Sequence, residues 1–444
     1  MRLFNSRTGN VEVLQPLEPG KVSMYVCGPT VYNYPHIGNA RPIVVFDTLK
    51  KALEAEGYAV NYVSNYTDVD DKIIKAAMEE GTDEKTVTDR FIEAYAQTRR
   101  DLNAEQPDVS PRVTETMDEI IRFIGDLVEK GAAYQAGGDV YYRVSSDPMY
   151  GELSHQRPED LEVGARIEES TVKENPLDFT LWKQTDKGIR WDSPWSKGRP
   201  GWHTECVVMI QDVFGKPLID IHGGGMDLKF PHHENEIAQC RSLHDTSLAN
   251  VWVHNGMINI DGLKMSKSLG NVWWAKDLIA QFGGNVVRWV MITTHYRAPL
   301  NLNEEAFSAA ARELEKIRTA MKQASVKLQL ADWSRTPDLA EGLWKQFMDA
   351  MDDDLNTPNA AAVIFEAVKN LNQAARAREL DGDLVASLLE TLTRMLHVMG
   401  IEFTLPVLTA GDRELWHRWK AAVKAKEFGT ADACRAELQQ RDIL

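Results

Sequence analysis

At 444 residues the chain is too long for one compact domain, and roughly two to four are expected. Hydrophobic content of 43% and charged content of 26% are those of an ordinary globular protein. No apolar run reaches membrane-spanning length and Met1–Asn5 leads into polar residues, so neither a membrane nor export is expected; a net charge of −16 argues against generic nucleic-acid binding and against DNA as a partner.

The first strong signal is Val22–Val26, a short buried strand, followed by Cys27-Gly28-Pro29-Thr30 and then Tyr34-Pro35-His36-Ile37-Gly38-Asn39. Ile43, Phe46, Leu49 and Leu53 fall at helical spacing, with Asn39 as the expected N-cap and Pro42 in the first turn. A cysteine thus ends a parallel strand and a glycine turn opens the next helix, the place where open α/β sheets bind ligands and helix amides favour phosphate. Glycine at 38 lets a nucleotide approach the backbone.

Tyr58–Val63 reads as a second strand, running into Ser64–Lys72. Asp70 and Asp71 suit helix capping, whereas Thr67 and Asp68, at the strand's carboxyl end, are candidates to face the ligand. Helical patterns continue through Arg100 and from Thr114 to Lys130, stopped by Gly131. From about Ala132 to Arg199 the texture changes to alternation, acidic residues and Trp182, Trp191 and Trp195 among Gly and Pro; this is an insertion whose tryptophans suit packing.

The α/β pattern resumes with Gly201–Cys206 opening a helix. The strand Leu218–His222 runs into Gly223–Asp227, and Phe230–Gln239 reads as a helix with proline at its start. A strand, Val251–His254, precedes a glycine-bounded loop, Gly262–Asn271. Beyond Asn303 only helices are expected: Leu314, Ile317, Met321 and Leu328 form one stripe, Val363, Ile364, Ala367, Val368 and Leu371 another, and Leu384, Leu388, Leu392 and Met395 a third, with Trp416 and Trp419 marking a fourth. Arg312, Lys316, Arg318, Lys322, Arg418, Lys420, Lys424 and Lys426 gather on parts of this bundle, a pattern that solvated faces also show. The fold class expected is α/β, a doubly wound, Rossmann-like parallel sheet with an insertion, followed by an all-α helical bundle.

Two constellations carry chemistry. The four cysteines, Cys27, Cys206, Cys240 and Cys434, are far apart, which suits a reducing cytoplasm and thiols that are ligands or core residues. His232 and Glu236 stand at i and i+4, as two ligands on one helix face must, although a surface hydrogen bond uses the same spacing. With Cys27 and Cys206 bordering neighbouring strands, two thiolates, an imidazole and a carboxylate make a tetrahedral zinc set, and the carboxylate keeps the ion Lewis-acidic. The second constellation is His36 with Lys264 and Lys267, a helix-start donor and two ammonium groups fit to stabilise charge developing on a nucleotide triphosphate.

Pro35–Asn39 and Lys264-Met265-Ser266-Lys267-Ser268 resemble the two signature motifs of class I aminoacyl-tRNA synthetases. The longer words Met24–Asp47, Thr67–Lys72, Pro200–Cys206, Asp220–Cys240 and His254–Asn271 are similar to the cysteinyl-tRNA synthetase family, over nearly all of residues 1–310 and more loosely beyond. The resemblance implies a catalytic fold over 1–115 and 200–250, a connective insertion over 116–199, a stem-contact region over 251–310 and a bundle over 311–444 that takes the tRNA anticodon arm. It implies one Zn²⁺ held by Cys27, Cys206, His232 and Glu236, with the substrate thiolate added, and ATP with Mg²⁺ contacted at His36, Gly38, Asn39 and Lys267. Catalysis is implied for His36, Lys264 and Lys267; Cys27, Thr67, Trp202, His222 and Asp227 are implied around the substrate cysteine. His203, His233 and His254 are similar to further active-site histidines.

The implied activity is ATP-dependent activation of L-cysteine and its transfer to the terminal ribose of tRNA(Cys), by a cytoplasmic monomer. Zinc's preference for thiolate over hydroxyl would separate cysteine from serine, which shape alone does poorly, and so make an editing domain unnecessary. Two departures stand out. Asn39 occupies a position where many class I enzymes have histidine, and the family's chain usually continues past a segment like Thr430–Arg435 further than Leu444, into a small terminal piece that reads the anticodon. The alternatives are a ligase joining cysteine to an amino-sugar, a non-catalytic synthetase-like RNA-binding protein, and a zinc hydrolase.

Overall fold

The structure, a computed structural model, describes residues 1–157, 172–265 and 270–444. They form two compact units: Met1–Gln281 with Tyr296–Leu302 and Asp352–Leu355, and Phe282–His295 with Asn303–Met351 and Asn356–Leu444.

In the first unit β1 (Lys21–Val26), β2 (Ala59–Ser64), β3 (Ile219–Gly225) and β4 (Ala249–Asn255) make one parallel sheet in the order β4-β3-β1-β2. Helix α1 (Ile37–Ala55) lies between β1 and β2 in the chain; α2 (Trp202–Phe214) precedes β3, and α3 (Glu234–His244) connects β3 to β4. The connection from β1 leads to one edge and that from β3 to the other. The winding therefore reverses between β1 and β3, and a crevice opens at their carboxyl ends. Cys27 is the first residue past β1, and its N–H donates to Gly223 O at 3.1 Å. Gly28 follows because a Cβ there would lie 1.6 Å from the Asn65 carbonyl oxygen, where the ends of β1 and β2 close on each other.

Two local expectations are corrected at α1. His36, not Asn39, is the N-cap: His36 Nδ1 accepts from Asn39 N–H at 3.2 Å, while Asn39 Oδ1 accepts from His36 N–H at 3.1 Å. An imidazole nitrogen here does what a serine or aspartate oxygen usually does, so the helix begins earlier and Pro42 sits in its second turn. Asp70 caps the helix Asp71–Glu80 as expected, accepting from Lys72 N–H at 2.7 Å.

The insertion contains a four-stranded antiparallel sheet, Ala133–Ala136, Asp139–Tyr142, Phe179–Gln184 and Gly198–Pro200. Trp182 is fully buried in it, its ring 5.9 Å from that of Trp195. A hairpin, Arg2–Asn5 with Asn10–Val13, has no counterpart in the sequence reading; it covers the β4 edge through Ser6 N–H to Trp252 O at 2.8 Å. Such cover removes a bare row of edge donors and acceptors. After β4, Ile258–Ile260, Leu263–Lys264 and Leu300–Leu302 form a small sheet.

Asp220 ties the sheet together from its other end. Its buried carboxylate accepts from Leu17 N–H at 2.6 Å, Ser23 N–H at 2.7 Å and Ser23 Oγ at 2.6 Å. Asp220→Ala leaves these donors without an acceptor and is expected to cost about 3 kcal/mol, read as a lowered urea midpoint; an unchanged midpoint would contradict this role.

The second unit is helical, including Glu304–Leu330, Glu341–Met351, Thr357–Ala375, Gly382–Val398, Ala410–Ala425 and Phe428–Gln440. Leu314, Ile317, Met321, Ile364, Leu371, Leu388, Leu392 and Met395 are buried as their spacing requires, but Leu384 is 46% exposed, because the buried face of its first turn is taken by Gly382 and Val385. The basic grouping also needs correction. Arg318 bonds to Asp442, and Lys322, 7% exposed, donates to Asp442 Oδ1 at 3.0 Å and Leu444 O at 3.2 Å. Those two cations are used inside the unit; Arg312, Lys316, Arg418, Lys420, Lys424 and Lys426 are exposed. Among the described residues, no helix is long and apolar enough to cross a membrane.

Candidate metal centre and the adjoining cleft

The crevice at the strand reversal is where the scattered ligands meet. Cys27 comes from the end of β1, and Cys206 from α2, one turn after Trp202. The expected helix over Phe230–Gln239 is corrected: Lys229–His233 is a wide turn in which Phe230 is extended, and α3 proper starts at Glu234. His232 and Glu236 still meet across that junction, Nε2 to Oε1 2.8 Å. Cys27 Sγ lies 3.4 Å from Cys206 Sγ and 3.6 Å from Glu236 Oε1, and Cys206 Sγ lies 3.7 Å from His232 Nε2. One donor atom from each of Cys27, Cys206, His232 and Glu236 falls within 4.8 Å of all the others, so these residues can hold a metal ion. Both thiols are free.

Burial and mutual contact polarise the four. Burial and the hydrogen bond to Cys206 push the Cys27 thiol well up. Burial works against ionising Cys206 too, but the bond from Cys27 and the contact with His232 bring it down to about 6. Burial opposes the charged form of His232, and Glu236 and Cys206 overcome it, raising the imidazole to about 10. Glu236 is held well below the usual carboxylate range, its burial outweighed by His222 and His232. Near neutral pH these four side chains by themselves carry their protons on Cys27 and His232.

A shell of buried histidines stands behind the cluster. His222 Nε2 donates to Glu236 Oε2 at 2.7 Å, and its Nδ1 is buried without a hydrogen-bond partner among the described residues. His233 Nε2 is 3.3 Å from Cys27 Sγ, and its Nδ1 pairs at 2.8 Å with His254 Nε2, whose Nδ1 reaches Ser6 Oγ at 2.8 Å. His203 Nδ1 is 3.0 Å from His232 Nδ1. Burial and neighbouring imidazoles push His203 and His254 down to about 3 and His233 well down, so these rings stay neutral and orient one another. Cys27, His222, His233 and Glu236 form a second possible ligand group that shares two members with the first. The linear sequence points to these histidines only by resemblance, since their contacts span three strands and two helices.

A cleft of about 460 Å³ opens beside the cluster, lined among others by Cys27, His36, Gly38, Asn39, Trp202 and Asp227. The Trp202 ring, 43% exposed, stacks on His232 at 4.3 Å and forms the wall between cleft and cluster. At Gly38 a Cβ would approach both the His36 ring and Met265 Cε to 3.0 Å, so glycine lets the helix start, the imidazole and the loop close together. Backbone bonds reinforce this contact, Ile37 N–H to Trp273 O at 2.8 Å and Ala275 N–H to Pro35 O at 3.0 Å. Lys264 ends a short strand beside Met265. Lys267 lies outside the described residues.

His222 and Thr67 stand behind the cleft wall, not in its lining. The Thr67 hydroxyl donates to Glu205 Oε2 at 2.9 Å; burial and Cys206 push that carboxyl well up, so Glu205 keeps its proton. Sequence reasoning missed Glu205, which one helical turn hides among apolar neighbours. Asp68 does not face the cleft, contrary to expectation: its oxygens accept from Thr114 N–H at 3.0 Å and Thr114 Oγ1 at 2.6 Å, because the chain past Pro111 runs alongside the end of β2.

Comparison with known proteins converges on the same region. Residues 13–312 match a family described as tRNA synthetases class I (C) catalytic domain, and residues 346–404 match the DALR domain. The cysteine–tRNA ligase of Anoxybacillus flavithermus is 47% identical over 451 residues, covering 100% of this chain and 97% of its own. That of Brevibacillus brevis is 46% identical over 454 residues, with coverage of 100% and 97%. In fold, the chain resembles Mycobacterium tuberculosis methionyl-tRNA synthetase in complex with methionyl-adenylate, with TM-score 0.63 and 15% identity, covering 85% of this chain and 89% of that one.

Proposed function

The chain belongs to the cysteine–tRNA ligase family of class I aminoacyl-tRNA synthetases, and from that premise we propose that Cys27, Cys206, His232 and Glu236 hold one zinc ion that selects the substrate by its sulfur. The enzyme activates L-cysteine with ATP and transfers it to the 3′-terminal ribose of tRNA(Cys). The observation that carries the metal reading is the convergence of four donors of two sulfurs, a nitrogen and an oxygen in a buried cluster. The first ligand group is preferred over the second because His222 and His233 already serve as hydrogen-bonded supports to Glu236 and Cys27. Zinc in this set supplies a soft Lewis acid with room for one more sulfur, for which a serine hydroxyl is a poor substitute.

The remaining steps fall to the chain's own groups. Because His36 Nδ1 accepts from the backbone, a neutral ring carries its proton on Nε2 and is a donor. It stands at the α1 start, where helix amides and the dipole favour phosphate, and ATP enters with Mg²⁺ on its phosphates. The substrate carboxylate attacks the α-phosphorus and pyrophosphate leaves; no general base is needed, only positioning and positive potential. We assign the latter to His36, Lys264 and Lys267, nucleotide contacts to Gly38 and Asn39, and the amino-acid wall to Trp202 and Asp227, with Thr67 and His222 behind it. The tRNA hydroxyl then attacks the adenylate carbonyl and AMP leaves. We place the anticodon arm on the exposed cations of the bundle, and the working enzyme in the cytoplasm, where its four cysteines stay reduced.

The test is metal analysis paired with cysteine-dependent ATP–pyrophosphate exchange and charging of tRNA(Cys). One zinc per chain with both activities is expected; exchange that proceeds unchanged after the metal is stripped would overturn the reading. A pH prediction follows from the proton positions. At pH 7 Cys27 and His232, both raised, hold protons, whereas Cys206 and Glu236, both lowered, do not. Metal uptake should therefore release about two protons and tighten as pH rises, and below about pH 6 a third proton, on Cys206, should add to the penalty. Calorimetry in buffers of different ionisation enthalpy counts the protons directly.

A further inference from the structure

Arg41, in the second turn of α1 past His36, is a fully buried guanidinium that the mechanism above leaves unused. Burying such a group is costly unless acceptors meet it, and here backbone carbonyls do. Its Nη1 donates to Gly256 O at 2.7 Å and to Met257 O at 2.9 Å, and its Nη2 donates to Ala298 O at 2.6 Å. Burial brings the group down to about 10, so it stays charged at neutral pH. The two segments that supply these carbonyls also touch each other. Gly256 N–H donates to Tyr296 O at 2.8 Å and Leu300 N–H to Met257 O at 2.9 Å, and a Cβ on Gly256 would lie 2.4 Å from Ala298 O. Arg41 thus stands where α1, residues 256–257 and residues 296–300 meet.

What leaves that junction is the machinery assigned to phosphate chemistry. One arm is the α1 start with His36. The other is the strand Ile258–Ile260, in which Asn259 pairs with Lys264 on one side and with Asn301 on the other. His36, Gly38 and Asn39 line the cleft, and so do Gly256, Met257 and Ile258, with Arg41 behind that lining. A guanidinium holds its donors at fixed angles in one plane, so it sets the spacing of the backbones it bridges as a single point charge does not. We propose that Arg41 is a positioning residue of the nucleotide cleft, whose bonds to Gly256, Met257 and Ala298 hold the α1 start in register with the small sheet that carries Lys264. The inference rests on the nucleotide reading of that cleft above. Donors aimed at developing charge act only when they are fixed in advance, and a misplacement of about 1 Å costs about 10²-fold in rate. The proposed metal ligands hang on β1, α2 and α3 instead, so the cysteine side of the cleft should not feel the change.

The test is Arg41→Met in the full chain, with ATP–pyrophosphate exchange measured against each substrate in turn. The kcat/KM for ATP should fall about 10²-fold, with KM for ATP raised and calorimetric binding of ATP weakened. Metal content and KM for cysteine should stay at their wild-type values. A role confined to stability would lower Tm and the active fraction but leave both KM values in place, and that result would overturn the inference. Unchanged exchange kinetics would overturn it too, as would a joint rise of both KM values with loss of metal. If Arg41→Met fails to fold, Arg41→Lys keeps the cation without the planar fork and should show the same split in smaller measure. Wild-type ATP kinetics in a folded Arg41→Lys would likewise overturn the inference. Failure of the nucleotide reading itself has a separate signature, a metal-loaded wild-type chain with no cysteine-dependent exchange.

Discussion

Cys206→Ser should strip the metal from this enzyme and raise its KM for cysteine by more than 100-fold, while leaving the fold intact. Cys206 is 2% exposed on α2, with Cys27 Sγ at 3.4 Å and His232 Nε2 at 3.7 Å. Serine is close in volume, so α2 packs as before; what changes is the donor. The Cys206 thiol ionises near pH 6 in this setting, whereas an alcohol stays neutral and is a poor ligand for a soft ion. Removing even an outer partner of a metal ligand typically costs about 10- to 100-fold in affinity, and loss of the ligand itself should cost more. Metal content should fall well below one per chain, and discrimination against serine should collapse with it. Unchanged metal content and exchange kinetics in this variant would remove Cys206 from the ligand set.

His36 should show the second large effect, and a pair of variants separates its two roles. His36→Asn keeps a side chain that caps helices well, so α1 should start normally, but the ring Nε2 donor is gone. The rate of adenylate formation should fall about 10²- to 10³-fold, the range seen when one donor to developing charge is removed, with the KM for cysteine little changed. His36→Ala loses both roles, and should add about 1 kcal/mol of instability to the same rate defect. Stopped-flow or exchange kinetics with a melt of each variant checks this; near-normal rates in His36→Asn would confine the residue to capping.

Much of the site was legible because its parts are local. A cysteine directly after a buried strand, a His-Ile-Gly-Asn word before a helical stripe, and His232 with Glu236 four residues on each carry their own signal. The misreadings have specific causes. Asn39 reads as the N-cap because asparagine is a common cap and histidine is not, but a reciprocal pair lets both contribute. Arg318 and Lys322 read as an open basic face because Asp442, their partner, is more than a hundred residues away. Asp68 is satisfied by Thr114 in the same way, across a crossing of chain segments that periodicity does not register.

By itself, then, the sequence determined the elements and their kind: alternating strands and helices, a bundle behind them, and candidate ligands at element ends. Burial of one face of a helix or strand imposes a repeat of a few residues, and that repeat is written in the chain. Only the tertiary structure decided which ends meet. Cys27 and Cys206, 179 residues apart, come together because the winding reverses between β1 and β3, and the same reversal packs the histidine shell around them. A buried polar group takes whatever partner the crossing elements bring to it, and that choice belongs to the sheet order and not to any one segment.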